Sequence, residues 1–128
     1  MSELVNIKTE NQISFITMDD GKANAMSVDM LKGLNKALDE AELSGSVVIL
    51  SGRENVLSGG FDLGVFKSGD NAKILEMLTL GAELSYRILS YPTPIIAACT
   101  GHAVAMGTFL LLCCRLVCAI RMPILERR

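Results

Sequence analysis

Two glycine-bearing turns are the segments of this chain whose residue types and spacing could do chemistry. The first runs from Ser58 to Leu63, and the second runs from Gly101 to Gly107. Each follows an apolar run, 47–50 for the first turn and 94–99 for the second, and each precedes a helix-compatible stretch. If a sheet places two such turns side by side, two backbone N–H groups can point at one carbonyl oxygen and stabilise negative charge on it.

The elements expected before the first turn are a hairpin, a helix and a strand. β-favouring residues at 4–9 and 13–18 flank a polar turn, which suggests a hairpin. Ser27 can cap a helix that ends near Gly45, and the apolar run 47–50 is typical of a strand in a sheet covered on both faces. The apolar positions of this helix have the spacing of one buried face. They are Met30, Leu31, Leu34, Ala37, Leu38 and Ala41.

The elements expected after this strand continue the same alternation. A polar loop is predicted over 51–60, and Asp70 then opens a second helix. This helix should end near Pro92, because proline disfavours helix in the residue before it. A strand at 95–99, the second turn and a helix from about Met106 complete the pattern, which predicts the α/β class. The apolar side of the second helix consists of Ile74, Leu75, Met77, Leu78, Gly81, Leu84, Ile88 and Leu89.

The composition predicts a globular protein with one domain. The chain has 128 residues, of which 50% are hydrophobic and 20% are charged, so one domain with its own core is expected and two are not. A net charge of −2 gives no electrostatic case for nucleic acid or an anionic membrane. The N-terminus lacks the pattern of a signal peptide, and the longest apolar stretch, around 106–114, is too short to span a bilayer.

The cysteines favour a reduced protein without a metal site. Cys99, Cys113, Cys114 and Cys118 show no CxxC spacing, and the sequence has one histidine. Neither feature fits a zinc ligand set. We therefore expect no metal, and free thiols in a cytoplasmic protein.

Three segments together are similar to the crotonase (enoyl-CoA hydratase/isomerase) family. The segment 22–27, Lys-Ala-Asn-Ala-Met-Ser, resembles the family's first loop that contacts coenzyme A, with Gly21 where a proline is usual. The segment 47–63 resembles the strand and loop of the first oxyanion donor, and 92–114 is similar to the strand, turn and helix of the second. The resemblance implies an α/β fold of the ClpP/crotonase type, with a spiral β-β-α core.

The resemblance covers residues 1–114 and stops at Arg115. We therefore expect 1–114 to be the N-terminal part of a crotonase-like domain, and 115–128 to be a tail outside the family pattern. A frameshifted or truncated gene product is one interpretation of this tail, and a natural short variant is the other. A truncated fold would leave apolar faces partly exposed, because C-terminal helices complete the core and the trimer interface in the family.

The resemblance implies an acyl-CoA thioester as substrate and an oxyanion hole that stabilises its enolate. The backbone N–H of Phe61 would be the first donor, and that of Met106 the second, at the start of a helix whose dipole adds positive charge. Coenzyme A would be part of the substrate, with no permanently bound cofactor. Lys22 would lie near the phosphates, or else it is a solvated turn lysine. The residues implied to contact the thioester or coenzyme A are Lys22, Ala23, Ala25, Gly60, Phe61, Asp62, Leu63, Met106 and Gly107.

This sequence lacks the residues that serve as acid and base groups in the family it resembles. The hydratases that the chain resembles carry a glutamate three residues after the second donor, and Phe109 stands there. A phenyl group cannot transfer a proton. The second glutamate, which many isomerases use alone, comes from a later strand and turn beyond this sequence. Asp62 could serve as a base, or as a turn or ion-pair residue. His102 could serve as a base, or as a structural or substrate-lining residue.

These observations leave three hypotheses about function. The first is an enzyme of the family, with an isomerase or another single-base reaction favoured. The second is a truncated, catalytically inactive fragment that binds acyl-CoA or another subunit. The third is an α/β protein unrelated to coenzyme A, whose glycine turns arose by chance. Intact relatives are implied to be homotrimers or hexamers.

Overall fold

The computed structural model describes residues 3–119, so the last nine residues of the predicted tail lie outside the described range. In chain order the elements are β1 (Val5–Glu10), β2 (Ile13–Met18), β3 (Ala25–Met26), α1 (Val28–Ser44), β4 (Val47–Ser51), β5 (Asn55–Ser58), β6 (Gly60–Phe61), α2 (Leu63–Ser68), α3 (Asn71–Leu89), β7 (Ile95–Cys99), β8 (Gly101–Ala103), α4 (Met106–Cys113) and β9 (Leu116–Ala119). This alternation confirms the predicted α/β class.

The main sheet has five strands in the order β1-β2-β4-β7-β9. The hairpin strands β1 and β2 are antiparallel, and every other neighbouring pair is parallel. Two smaller parallel pairs, β3 with β6 and β5 with β8, join segments that follow different strands of the main sheet. These small pairs position the candidate site, because they bring together the loops at the carboxyl ends of β2, β4 and β7.

The hairpin turn matches its sequence prediction. Asn11 and Gln12 separate β1 from β2 with φ angles of 50° and 65°. Two adjacent residues with positive φ are the mark of a type I′ turn, which matches the right-handed twist of the flanking strands. Asparagine tolerates this conformation better than most residues, so the local sequence favours the turn.

Helix α1 also agrees with its prediction. The hydroxyl of Ser27 accepts a hydrogen bond of 3.1 Å from the N–H of Met30, and Gly45 ends the helix with a φ of 64°. The buried residues of α1 are the six that the spacing predicted. They pack against β1 and β2 on one side and against α3 on the other.

Helix α3 begins where predicted, but its buried face is narrower than expected. The Asp70 carboxylate accepts the N–H of Lys73 at 3.3 Å and caps the helix. Met77, Gly81, Leu84 and Ile88 are buried. By contrast, Leu75 is 65% exposed and Leu89 is 67% exposed. Their apolar side chains indicate which side of the helix prefers burial. They do not show whether another element of the fold covers that side.

Two further expectations about the strands are corrected by the structure. In β4, Val48 and Leu50 are buried but Val47 and Ile49 are only half-buried, so the described chain covers one face of this sheet fully. The predicted polar loop 51–60 contains the strand β5 and the first residue of β6, and Leu57 and Ser58 are fully buried. The long-range pairing of β5 with β8 provides the partners that the local sequence does not reveal.

The segment after Cys114 continues the main sheet as far as the structure describes it. The N–H of Arg115 donates to the carbonyl oxygen of Ile95 at 2.8 Å, and β9 pairs with β7. All four residues of β9 are exposed. The large apolar side chains of α4 and β9 that are exposed are Phe109, Leu112, Leu116 and Val117.

Candidate functional site

The two glycine turns meet at the carboxyl edge of the parallel strands. Pairing of β5 with β8 sets Asn55 opposite Gly101 and Ser58 opposite Ala103. The backbones approach so closely that a Cβ at position 101 would lie 2.2 Å from the carbonyl oxygen of Asn55. Only glycine fits there, so the first glycine of the second turn holds the two turns together.

Gly60 lies where the first turn approaches the residues that lead into α4. Its φ of 94° lies in a region that L side chains rarely adopt. A Cβ at position 60 would lie 3.0 Å from the carbonyl oxygen of Val104 and 3.4 Å from the backbone nitrogen of Met106. The structure therefore brings Gly60, the residue before Phe61, close to the backbone nitrogen of Met106. This proximity is necessary if N–H groups of the two turns are to point at one carbonyl oxygen.

Helix α4 begins with an unusual backbone geometry. Ala105, which precedes the helix, has φ 51° and ψ −117° and makes no capping hydrogen bond with its side chain. The N–H groups of Gly107, Thr108 and Phe109 donate to the carbonyl oxygens of Val104 or Ala105. Across residues 3–119 the N–H of Met106 has no acceptor. A free N–H at a helix N-terminus is suited to bind negative charge.

Gly107 has a packing role that the sequence prediction did not include. A Cβ at this position would lie 2.5 Å from the carbonyl oxygen of Ser58 and 3.0 Å from its Cβ. Gly107 is buried, and its small size lets the first turn of α4 sit directly on β5. The close packing explains the glycine without requiring contact with a ligand.

The side chains of Phe61 and Met106 share one support, the backbone of α3 at Gly81. A Cβ at position 81 would lie 2.5 Å from Cζ of Phe61 and 3.4 Å from Cε of Met106. Phe61 is half-buried and also packs edge-on against Phe66, with ring centroids 6.3 Å apart. Gly81 therefore creates the space that both side chains occupy.

The loop 19–25 lies beside the first turn and is held by the carboxylate of Asp20. This carboxylate accepts the N–H groups of Lys22, Asn24 and Ala25 at 2.7, 3.0 and 3.1 Å. Partial burial alone would raise the pKa of Asp20, but these hydrogen bonds and the charge of Arg53 outweigh it and lower the pKa below 3.8. The predicted coenzyme A loop is thus ordered by its own carboxylate.

Asn24 connects this loop to the main sheet and to β5. It is fully buried with a φ of 52°, and its Nδ2 donates to the carbonyl oxygens of Met18 and Leu57 at 2.9 and 3.1 Å. Its Oδ1 accepts the N–H of Asp20 at 2.9 Å. No motif in the sequence marks Asp20, Asn24 or Ser58 as a residue of this site. The tolerance of asparagine for positive φ was the one local signal for Asn24.

The other predicted contact residues lie around the same edge. Lys22 and Ala23 are exposed, and the carbonyl oxygen of Lys22 accepts a hydrogen bond of 2.6 Å from Arg53. Ala25 is half-buried and pairs with Gly60 between β3 and β6. Leu63 is 67% exposed at the start of α2. The structure brings the loop 22–25 and the turn 60–63 together through the pairing of β3 with β6, and their contact with coenzyme A stays a prediction.

The alternative bases occupy structural or open positions. Asp62 caps α2, with its Oδ1 accepting the N–H of Gly64 at 2.9 Å. His102 is exposed in β8. Phe109, which stands where the resemblance implies a glutamate, is 58% exposed on the first turn of α4. Asp62 therefore has the turn role that the sequence gave as one of its two alternatives.

The described range contains neither a metal cluster nor a membrane helix. No group of three His, Cys, Asp or Glu side chains between residues 3 and 119 could hold a metal ion. No helix in the same range is long and apolar enough to cross a membrane. The four cysteines are free. Burial, with a smaller effect from Cys113, raises the pKa of the Cys114 thiol to about 12.

Comparison with known proteins gives consistent matches. A sequence model described as enoyl-CoA hydratase/isomerase matches residues 8–126. The probable enoyl-CoA hydratase of Bacillus subtilis (strain 168) is 30% identical over 115 residues, which is 88% of this chain and 45% of that protein. The crystal structure of an enoyl-CoA hydratase/isomerase family protein from Pseudomonas syringae aligns with a TM-score of 0.90 and 40% identity, over 94% of this chain and 52% of that one.

A second solved structure, an enoyl-CoA isomerase of Mycobacterium tuberculosis, gives a TM-score of 0.85 at 43% identity, over 91% of this chain and 51% of that one. The predicted crotonase-like fold is confirmed by these alignments. The chain spans about half the length of the relatives it matches. The family match extends to residue 126, beyond the end of the resemblance at residue 114. The division of the chain into 1–114 and a tail at 115–128 stays a prediction.

Proposed function

Because the chain belongs to the enoyl-CoA hydratase/isomerase family, we propose that it binds an acyl-CoA thioester and stabilises the thioester enolate through two backbone N–H groups. The observation that carries the proposal is the N–H of Met106, which lies at the start of α4 beside Gly60 and has no acceptor within residues 3–119. The helix dipole adds partial positive charge at this point.

The N–H of Phe61 is the second donor in this proposal. Phe61 follows Gly60, the residue that approaches Met106, so both donors belong to adjoining backbone segments. Each such donor contributes about 3 kcal/mol to lowering the barrier of an oxyanion reaction, or a few hundred-fold in rate. Since both donors are main-chain groups, the side chains at 61 and 106 are free to shape the acyl pocket.

The loop 22–25 and the turn 60–63 form the binding path for coenzyme A in this proposal. The exposed Lys22 is available to the phosphates, and Ala23 and Ala25 line the same edge. The close pairing of Ala25 with Gly60 keeps this path next to the proposed oxyanion donors. Coenzyme A enters as part of the substrate. The free cysteines support a cytoplasmic location.

Phe109 favours an isomerase or another single-base reaction over water addition. Hydration by two glutamates needs a proton-transferring group at this position, and a phenyl ring cannot supply it. One solved relative, from Mycobacterium tuberculosis, is named an enoyl-CoA isomerase in one structure and a probable enoyl-CoA hydratase in another, so the preference rests on Phe109. The favoured reaction moves one proton from the α or γ carbon of the enoyl thioester to a base, which returns it to the other carbon. The resemblance places this base, a glutamate, on a later strand and turn beyond the segments described above.

The experiment removes one donor N–H with little change to the helix. Proline is tolerated at the first helical position, where Met106 lies. The proline ring would contact the Cβ of Ala105, so the variant is Ala105→Gly with Met106→Pro, and its control is Ala105→Gly alone. Purified protein is assayed for 3-enoyl-CoA isomerisation and crotonyl-CoA hydration, and acyl-CoA binding is measured by calorimetry.

We expect the double variant to lose about 10²- to 10³-fold in turnover relative to its control, while retaining acyl-CoA binding. Measurable and equal turnover of the two variants would exclude Met106 as an oxyanion donor. Absence of acyl-CoA binding by the unaltered protein would exclude the proposed substrate class and favour an α/β protein unrelated to coenzyme A.

A catalytically inactive acyl-CoA-binding or subunit-interaction fragment is the second candidate function. Two observations favour it: the phenyl side chain at position 109, and the exposed apolar side chains of Leu112, Leu116 and Val117. It predicts acyl-CoA binding without turnover in either assay. It also predicts that binding is unchanged when Phe109 is replaced by leucine, because the ring then has no catalytic role.

A further inference from the structure

Within residues 3–119, Ser58 is the side chain that hydrogen-bonds both to the predicted coenzyme A loop and within the first glycine turn. Its hydroxyl is fully buried, donates to the carbonyl oxygen of Asn24 at 2.8 Å and accepts the N–H of Gly60 at 3.1 Å. A hydroxyl group can fill both roles at once, because it has one donor hydrogen and two acceptor lone pairs. The hydroxyl therefore fixes the residue that immediately precedes Phe61.

The backbone of Ser58 contacts the second turn as well. Its carbonyl oxygen accepts the N–H of Val104 at 3.0 Å, two residues before Met106. The same carbonyl faces Gly107, where a Cβ would lie 2.5 Å from it. Ser58 thus contacts Val104 and Gly107, which lie before and after Met106 in the chain. It also contacts Gly60, which immediately precedes Phe61.

We propose that Ser58 is a positioning residue that aligns the N–H groups of Phe61 and Met106 on one thioester carbonyl. The inference rests on the proposed function. Oxyanion donors must lie within about 2.7–3.1 Å of the oxygen that gains charge, so small displacements weaken both hydrogen bonds. Without the hydroxyl, Gly60 loses the bond that fixes its N–H, and the next peptide, which carries the Phe61 donor, keeps its pairing with β3 but loses this restraint on its orientation. The donors are then present but misaligned.

The same change also has a structural cost, which the experiment must separate from misalignment. Ser58→Ala leaves the buried N–H of Gly60 and the carbonyl oxygen of Asn24 without their partner, and unsatisfied buried groups lower stability. Ser46 offers a matched control. It lies in the connection between α1 and β4 and is also fully buried. Its hydroxyl hydrogen-bonds to Ser14 of β2, to Ser44 and to the carbonyl oxygen of Ala41.

The readout is the carbonyl stretching frequency of a bound enoyl-CoA whose thioester carbon is labelled with carbon-13. Hydrogen bonding to the carbonyl oxygen lowers this frequency, independently of turnover. We expect a lowered frequency with the unaltered protein and with Ser46→Ala, and a shift at most half as large with Ser58→Ala. Affinity for coenzyme A itself should change less than threefold, because the loop 22–25 remains anchored by Asp20 and Asn24.

A second variant covers the case in which Ser58→Ala does not fold. Ser58→Cys keeps a side chain of similar size with weaker hydrogen bonding, and it should give an intermediate frequency. A full shift in both Ser58 variants would overturn the positioning role and leave the proposed function intact. No shift with the unaltered protein, despite thioester binding, would overturn both the oxyanion hole and the role of Ser58.

Discussion

Ala105 is predicted to weaken the fold because its backbone adopts a conformation suited to glycine. With φ 51° and ψ −117°, its Cβ is strained where the chain enters α4. Such a non-glycine residue costs about 1–3 kcal/mol. Replacement by glycine removes this strain but adds freedom to the unfolded chain, which costs about 0.4–1 kcal/mol. The Ala105→Gly variant should therefore be more stable by about 1 kcal/mol.

The expected change is large enough to measure by thermal unfolding. An unfolding entropy of about 2.1 cal/mol/K per residue gives roughly 0.27 kcal/mol/K for the 128 residues of this chain. A gain of about 1 kcal/mol then raises Tm by roughly 4 °C. Circular dichroism during heating and urea titration at 25 °C measure the same difference in two ways.

The matched control is Ala103→Gly. Ala103 lies in β8 of the same turn but does not have positive φ, so glycine there should lower stability by about 0.5–1 kcal/mol. The two glycine substitutions are thus expected to shift Tm in opposite directions. If both lower Tm by a similar amount, the backbone of Ala105 is not strained, and the strain inferred from its φ and ψ angles is refuted.

Three further substitutions test separate contacts. Gly81→Ala places a Cβ 2.5 Å from Cζ of Phe61, so we expect a loss of about 1–3 kcal/mol in urea titrations, together with weaker binding of acyl-CoA. Arg87→Met removes hydrogen bonds to Asn35 and ion pairs to Asp39 and Glu42 that join α3 to α1. Since the Arg87 side chain is 25% exposed, we expect a loss of about 1 kcal/mol in urea. Asp20→Asn should be less stable than the unaltered protein at pH 7. Because the folded pKa of Asp20 is lowered, its stabilisation is present above 3.8 and disappears as the pH falls through the folded value. Urea titrations at pH 7 and pH 3 should therefore show a difference that shrinks in acid.

Each of these predictions has a simple internal comparison. Gly64→Ala, on the exposed surface of α2, places a Cβ 3.2 Å from Oδ1 of Asp62 but gains helix propensity, so its loss should be smaller than that of Gly81→Ala. An equal loss would show that Gly81 is not special. Lys8→Met breaks an ion pair whose side chains are 68% and 59% exposed, and should cost about 0–0.5 kcal/mol. A stability difference for Asp20→Asn that stays constant between pH 7 and pH 3 would contradict the lowered pKa.

The local sequence predicted the elements whose signals are local. Helix α1 has a serine cap, a regular apolar spacing and a terminal glycine, and all three lie within or next to the helix itself. The type I′ turn at Asn11 and Gln12 is likewise determined by adjacent residues. The juxtaposition of the two glycine turns also followed from sequence, because parallel strands place their carboxyl ends at one edge.

The parts that escaped prediction depend on contacts between distant residues. The strands β3, β5, β6 and β8 have two to four residues each, too few for a periodic pattern to indicate them. The role of Ser58 depends on Asn24, thirty-four positions earlier in the chain. The apolar residues Leu75 and Leu89 were expected to be buried, because their type shows a preference for burial without showing what covers them.

The hydrogen bonds of Ser58 and Asn24 also have a consequence for how the site opens. The loop 19–25, the first turn and the second turn share donors and acceptors, so none of them can unfold locally without releasing the others. The amide protons of Gly59, Gly60 and Val104 should then exchange with solvent deuterium in one cooperative step. A site that opens only as a unit has its shape before a ligand arrives, and binding need not supply the free energy to order its loops.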